Sequence, residues 1–126
     1  MIRSAKIHLL FMALVVGALL GGCRARFPTD KFIRTEDQRN WHLLFFNDGR
    51  WEGYYDGNMI TFGSYHADSQ QITFESDFLC EQNGAPEAVT YNWMYEDDTL
   101  TFTPTGEDAC TARREMLTGG AYKRST

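Results

Sequence analysis

The stretch Trp41-His42-Leu43-Leu44-Phe45-Phe46-Asn47-Asp48-Gly49-Arg50-Trp51-Glu52-Gly53-Tyr54-Tyr55-Asp56-Gly57-Asn58 decides the fold. Trp41 to Phe46 is rich in aromatic and aliphatic residues and ends at the turn Asn47-Asp48-Gly49. Trp51 to Tyr55 follows and ends at Asp56-Gly57-Asn58. Asp-Gly between apolar runs signals a hairpin, because glycine accepts positive φ without steric cost. One strand, a tight turn and a second strand is therefore the unit from which the chain is built.

The same unit repeats downstream. Met59 to His66 leads into the turn Ala67-Asp68-Ser69, and Gln71 to Phe78 comes next, with Ile72, Phe74, Ser76 and Phe78 sharing a face. A loop with Cys80, Gly84 and Pro86 precedes Ala88 to Tyr95, where Val89, Tyr91, Trp93 and Tyr95 share a face. Glu96-Asp97-Asp98 then turns into Leu100 to Pro104. A short strand near Ala121-Tyr122-Lys123 closes the chain, and Lys31 to Arg34 supplies a first one. Alternation with period two is the signature of half-buried strands. No later segment has helical periodicity beyond a single turn over Arg113 to Leu117. About eight strands on short links make an up-and-down antiparallel meander, and closure into a small barrel removes its edges. The fold class is all-β.

Residues 1–22 read differently. Arg3 and Lys6 precede an apolar run, Ile7 to Leu20, which ends at Leu20-Gly21-Gly22-Cys23. A short apolar run behind basic residues, ending in small ones, is an export signal. The last four residues resemble the bacterial lipobox, which implies cleavage before Cys23 and lipid on its sulfur. The chain of 126 residues is thus expected to divide into a signal peptide (1–22), a lipidated tether (23–30) and one β domain (31–126). The domain would lie on the extracytoplasmic side, in the periplasm or at the cell surface.

Without the leader, 10 basic residues face 17 acidic ones. Between Asn40 and Thr111 the only basic side chain is Arg50, against 13 acids. An acidic body excludes nucleic acid as a partner, since phosphate binding needs clustered Lys and Arg. The basic flank Arg24, Arg26, Lys31, Arg34 and Arg39 either rests on anionic headgroups or is a solvated tether of mixed charge.

Export places Cys80 and Cys110 in an oxidising compartment, where they are expected to pair once Cys23 carries lipid. Closing their loop would constrain the unfolded chain by about 3.5 kcal/mol. The strands before the two cysteines are separated by one strand and point the same way, so both cysteine loops emerge at one end of the sheet.

The pattern Phe45-Phe46-Asn47-Asp48-Gly49-Arg50-Trp51, Gly63-Ser64-Tyr65, Gln71-Ile72-Thr73-Phe74, Tyr91-Asn92-Trp93, Leu100-Thr101-Phe102 and Asp108-Ala109-Cys110-Thr111-Ala112-Arg113 resembles bacterial lipocalin-like, calycin-type lipoprotein domains. The resemblance implies an antiparallel barrel with a small apolar ligand or with none. Arg113 is expected to form a charge pair with Asp108 or Glu107; the alternative, implied by the closing arginine of lipocalins, is stacking on Trp41 or Trp51.

No nucleophile elbow, phosphate loop or metalloprotease helix is present, and Ser64 with His66 lacks an acid partner. Neither His42 nor His66 stands at zinc spacing from a cysteine. No enzyme activity, cofactor or metal is expected. The expected inward face is Ile60, Phe62, Ile72, Phe74, Val89, Tyr91, Trp93, Tyr95, Leu100 and Phe102. From it, with Trp51, the candidate ligand-binding residues are Trp51, Phe62, Phe74, Tyr91, Trp93 and Phe102. Two functions follow for this expected monomer: a membrane-anchored binder of a small apolar ligand, or a surface interaction or inhibitor module with a packed core. An internal cavity would favour the first, and a solid core with an exposed apolar patch the second.

Overall fold

The computed structural model describes residues 25–34 and 40–125; the leader and Cys23 lie outside the described residues. Eight antiparallel strands close a barrel in simple sequence order. They are β1 (Lys31–Arg34), β2 (Trp41–Phe45), β3 (Arg50–Tyr55), β4 (Asn58–Ala67), β5 (Gln71–Phe74), β6 (Val89–Glu96), β7 (Thr99–Pro104) and β8 (Tyr122–Arg124). Closure comes from β1 against β8, with Phe32 opposite Arg124 and Ile33 opposite Lys123. The hairpins form where the turn chemistry demands. Asp56 and Gly57 both take positive φ between β3 and β4, as do Asp97 and Asp98 between β6 and β7. That geometry matches the twist of the flanking strands.

Two short helices interrupt the meander, α1 (Phe78–Gln82) between β5 and β6, and α2 (Thr111–Thr118) between β7 and β8. They correct the reading of Gln71 to Phe78 as one strand. Pairing with β6 stops at Phe74, and Asp77 accepts the Cys80 amide as the α1 N-cap, which turns the backbone helical. Phe78 therefore leaves the inner face. Both helices sit at the same end of the barrel, joined by the Cys80–Cys110 disulfide with its Cα atoms 5.5 Å apart.

The core is continuous from end to end. Phe32, Leu43, Phe45, Trp51, Tyr65, Ile72, Phe74, Tyr91, Trp93, Leu100, Phe102 and Tyr122 belong to one buried cluster. Met116 and Leu117 of α2 belong to it too, so the helix corks one end. At the other end Phe27, ahead of β1, sets its ring 4.8 Å from Phe45, 5.3 Å from Trp93 and 5.7 Å from Tyr65. The inner space is filled by aromatic side chains in edge-to-face and tilted contact, an arrangement that favours ring pairs beyond their buried area.

Candidate functional site

Each expected ligand-binding residue has a defined place. Trp51, Phe74 and Tyr91 are fully buried, and Phe102 and Trp93 nearly so. Trp51 and Phe74 meet at 5.0 Å, and Phe74 reaches Tyr91 at 6.1 Å and Phe102 at 6.4 Å. The two indoles are pinned: Trp51 Nε1 donates to the Ser76 carbonyl at 3.2 Å and Trp93 Nε1 to that of Asp68 at 3.0 Å. These rings pack on one another in a single buried cluster.

Phe62 is a correction. It is 49% exposed and pairs across the outer face with Glu52. In the triplet Ile60-Thr61-Phe62, Ile60 still packs against the core, but Phe62 falls outside it, where β4 and β3 have shifted register between Gly53 and Tyr54. Thr61 faces in instead, where its hydroxyl donates to Asp77. Gly63 follows the same phase, and a Cβ there would stand 1.9 Å from the Ser76 carbonyl oxygen. The inward alternation on β4 is therefore Thr61, Gly63, Tyr65.

Phe62 is not isolated outside. Its ring stacks on Phe78 of α1, with centroids 5.1 Å apart and planes 13° apart. Met59 stands beside them, 48% exposed, and Phe78 is 43% exposed. Met59 and Phe62, with the flank of Trp51, border a shallow recess that also touches Arg50, Glu52 and Gly63. Glu75 and Glu81 stand on the neighbouring β5–α1 segment. Arg50, the only cation of the segment 40–111, is held by Asp48 at 2.7 Å. The result is an apolar patch in an acidic, cation-poor surface.

The disulfide end holds a buried charge cluster. Asp108 takes two hydrogen bonds from Arg113, at 2.9 and 2.8 Å, one from the Cys110 amide at 2.9 Å and one from the Tyr91 hydroxyl. Asp77 lies on the far side of the same guanidinium at 3.7 Å. Burial works to raise the Asp108 carboxyl, but the bonds from Arg113, Tyr91 and Cys110 outweigh it and hold it below the usual value. Burial and the Asp108 carboxylate push the Tyr91 hydroxyl up. Each aspartate binds the amide of a bridged cysteine, so the cluster fixes both helix starts. Arg113 makes the expected charge pair with Asp108 and does not stack on Trp41 or Trp51. Arg34 lies with its guanidinium 5.4 Å over the Trp41 ring and 5.7 Å from Tyr122, and donates to the Glu115 and Met116 carbonyls at 2.9 and 2.8 Å. It satisfies the last carbonyls of α2 and complements the helix dipole there. This also removes Arg34 from the basic flank that was to meet headgroups. The available signal was its phase: Arg34 shares the inward side of β1 with Phe32.

The Ser64 and Ser76 hydroxyls meet at 3.0 Å, and the acid partner that the sequence did not offer His66 is Glu75. Among the described residues, no group of three or more His, Cys, Asp or Glu is placed to hold a metal ion. Outside the barrel, an open groove of about 920 Å³ runs beside Phe27 between the turns at Asp48 and Asp68. Another of about 590 Å³ lies between Ala85–Val89 and Glu107–Arg114. Comparison with protein-family models, with curated proteins and with solved structures finds no match for this chain.

Proposed function

We propose that this protein is an exported, lipid-anchored, non-catalytic interaction module that binds a protein through the outer patch of Met59, Phe62 and Phe78. The observation that carries this reading is the pairing of a filled barrel with two stacked, half-exposed phenylalanines on its outside. Monomeric proteins rarely leave large contiguous apolar surface to water without a use, and Phe and Met are enriched in the cores of protein interfaces. Glu52, opposite Phe62, and Glu81, on the Phe78 helix, define the partner's chemistry: an apolar centre rimmed by Lys or Arg. Complementary charge of this kind steers encounter and fixes register. The lipobox-like end of the leader supports the anchor, and the closed antiparallel barrel is the architecture that the resemblance to lipocalin-like lipoproteins implies.

The carrier reading has one observation of its own. Phe27 comes from outside the strands, and its departure would uncover Phe45, Tyr65 and Trp93 at the mouth. A small apolar ligand would have to displace it.

A photo-crosslinking residue at Phe78 in the envelope, followed by purification of the captured protein, tests the proposal. Direct titration should then show binding that weakens at least tenfold in Phe62→Ser and in Glu81→Lys, and weakens as salt rises. Binding indifferent to all three overturns it.

A further inference from the structure

We propose that the barrel stands on the bilayer by its Phe27 end, with the helical end and the Phe62–Phe78 patch held outward. This rests on lipidation of Cys23 as proposed above and adds an orientation to it.

The segment that would join lipid to barrel is lashed down. Phe27 is clamped by three rings. The Thr29 hydroxyl donates to Asn47 Oδ1 at 2.7 Å, the Asp30 carbonyl accepts the Phe45 amide at 3.0 Å, and the Asp30 carboxylate accepts from Arg124 Nε at 2.6 Å. Only three residues, Arg24 to Arg26, separate Cys23 from Phe27, and the four steps between them span at most about 14 Å. A barrel end held that close to its lipid cannot turn away.

The same end carries the turns Asn47-Asp48, Asp68-Ser69 and Asp97-Asp98. Four of its carboxylates are engaged by the chain itself: Asp48 by Arg50, Asp30 by Arg124, Asp68 by the Gln70 and Gln71 amides, Asp98 by the Tyr95 hydroxyl. Acids and bases are interspersed there, with Arg26, Lys31 and Lys123 nearby, so no single-sign field draws this face to anionic lipid. Lipid and tether geometry hold the contact, and membrane association is therefore insensitive to salt. The strands then set the height of the other end. The eight residues of β6, tilted as barrel strands are, rise about 20 Å. The patch is thereby presented to partners clear of the headgroups.

The test uses the full lipidated protein in phosphatidylethanolamine–phosphatidylglycerol vesicles that carry a nitroxide on the headgroup. A fluorophore is placed through Gln70→Cys at the tether end or Glu87→Cys at the helical end. Quenching several-fold stronger at position 70 is expected, together with loss of that difference when a long Gly/Ser run is inserted between Ala25 and Arg26. Equal quenching of the two labels on bound protein overturns the orientation alone. Protein that fails to bind vesicles overturns the lipid reading, and the orientation with it.

Discussion

Arg113 holds two carboxylates where water does not reach. Its side chain is 2% exposed, and Asp77 and Asp108 are equally enclosed. Removing the cation strands both acids, a change that costs about 3–5 kcal/mol at buried pairs. Arg113→Met should therefore lower stability by that amount in urea unfolding, whereas Tyr91→Phe, which removes one bond to a carboxylate that keeps its others, should cost about 1–2 kcal/mol. The pH dependence has a definite sign. Asp108 titrates lower folded than unfolded, so its stabilisation is complete above the unfolded value near 4 and is lost as pH falls through the lower folded value. Urea midpoints should drop steeply below about pH 4 in the wild type, and Asp108→Asn, weaker at the start, should drop less. Residue types and spacing made Asp108 and Arg113 legible. Arg34 was not, because its partners are backbone carbonyls of a helix 81 residues away, and no local pattern encodes such a contact.

At the scale of elements, the strands and hairpins could be read from alternation and from Asp-Gly turns, while the phase within β4 could not. Ile60, Phe62 and Tyr65 place apolar groups on both sides, and the choice fell to a register shift and to Asp77 claiming Thr61. The helix α1 escaped notice for a related reason: five residues are too few for a period, and its start depends on the Asp77 cap. The cap, the charge cluster and the disulfide act on the same two helix starts. Replacing both Cys80 and Cys110 by Ala should cost about 3.5 kcal/mol by the loop-closure model, read as a lower urea midpoint. A methyl at Gly63 would meet the Ser76 backbone at 1.9 Å, far inside any contact distance. Gly63→Ala should therefore separate β4 from the segment after β5 and leave little soluble folded protein, judged by near-ultraviolet circular dichroism.

The whole molecule is a barrel stopped at both ends, by Met116 and Leu117 of α2 and by Phe27 of the tether. Its interior gives stability, its outside carries the two stacked phenylalanines, and its first residues bind it to the end that would face a membrane. The barrel itself followed from strand count and the need to hide edges. Whether its aromatics would fill the space or line it did not, because the same side chains serve either arrangement and only their mutual distances decide. Phe62→Ser removes a half-exposed ring and its stack on Phe78, so it should cost only about 1 kcal/mol of stability while weakening capture of the proposed partner at least tenfold. The most direct test of the filled, outward-acting barrel is native mass spectrometry of the full mature protein released gently from membranes. The mass of the lipidated polypeptide alone is the expected result. A stoichiometric small apolar molecule that stays bound, and that leaves on Trp93→Ala, would contradict it.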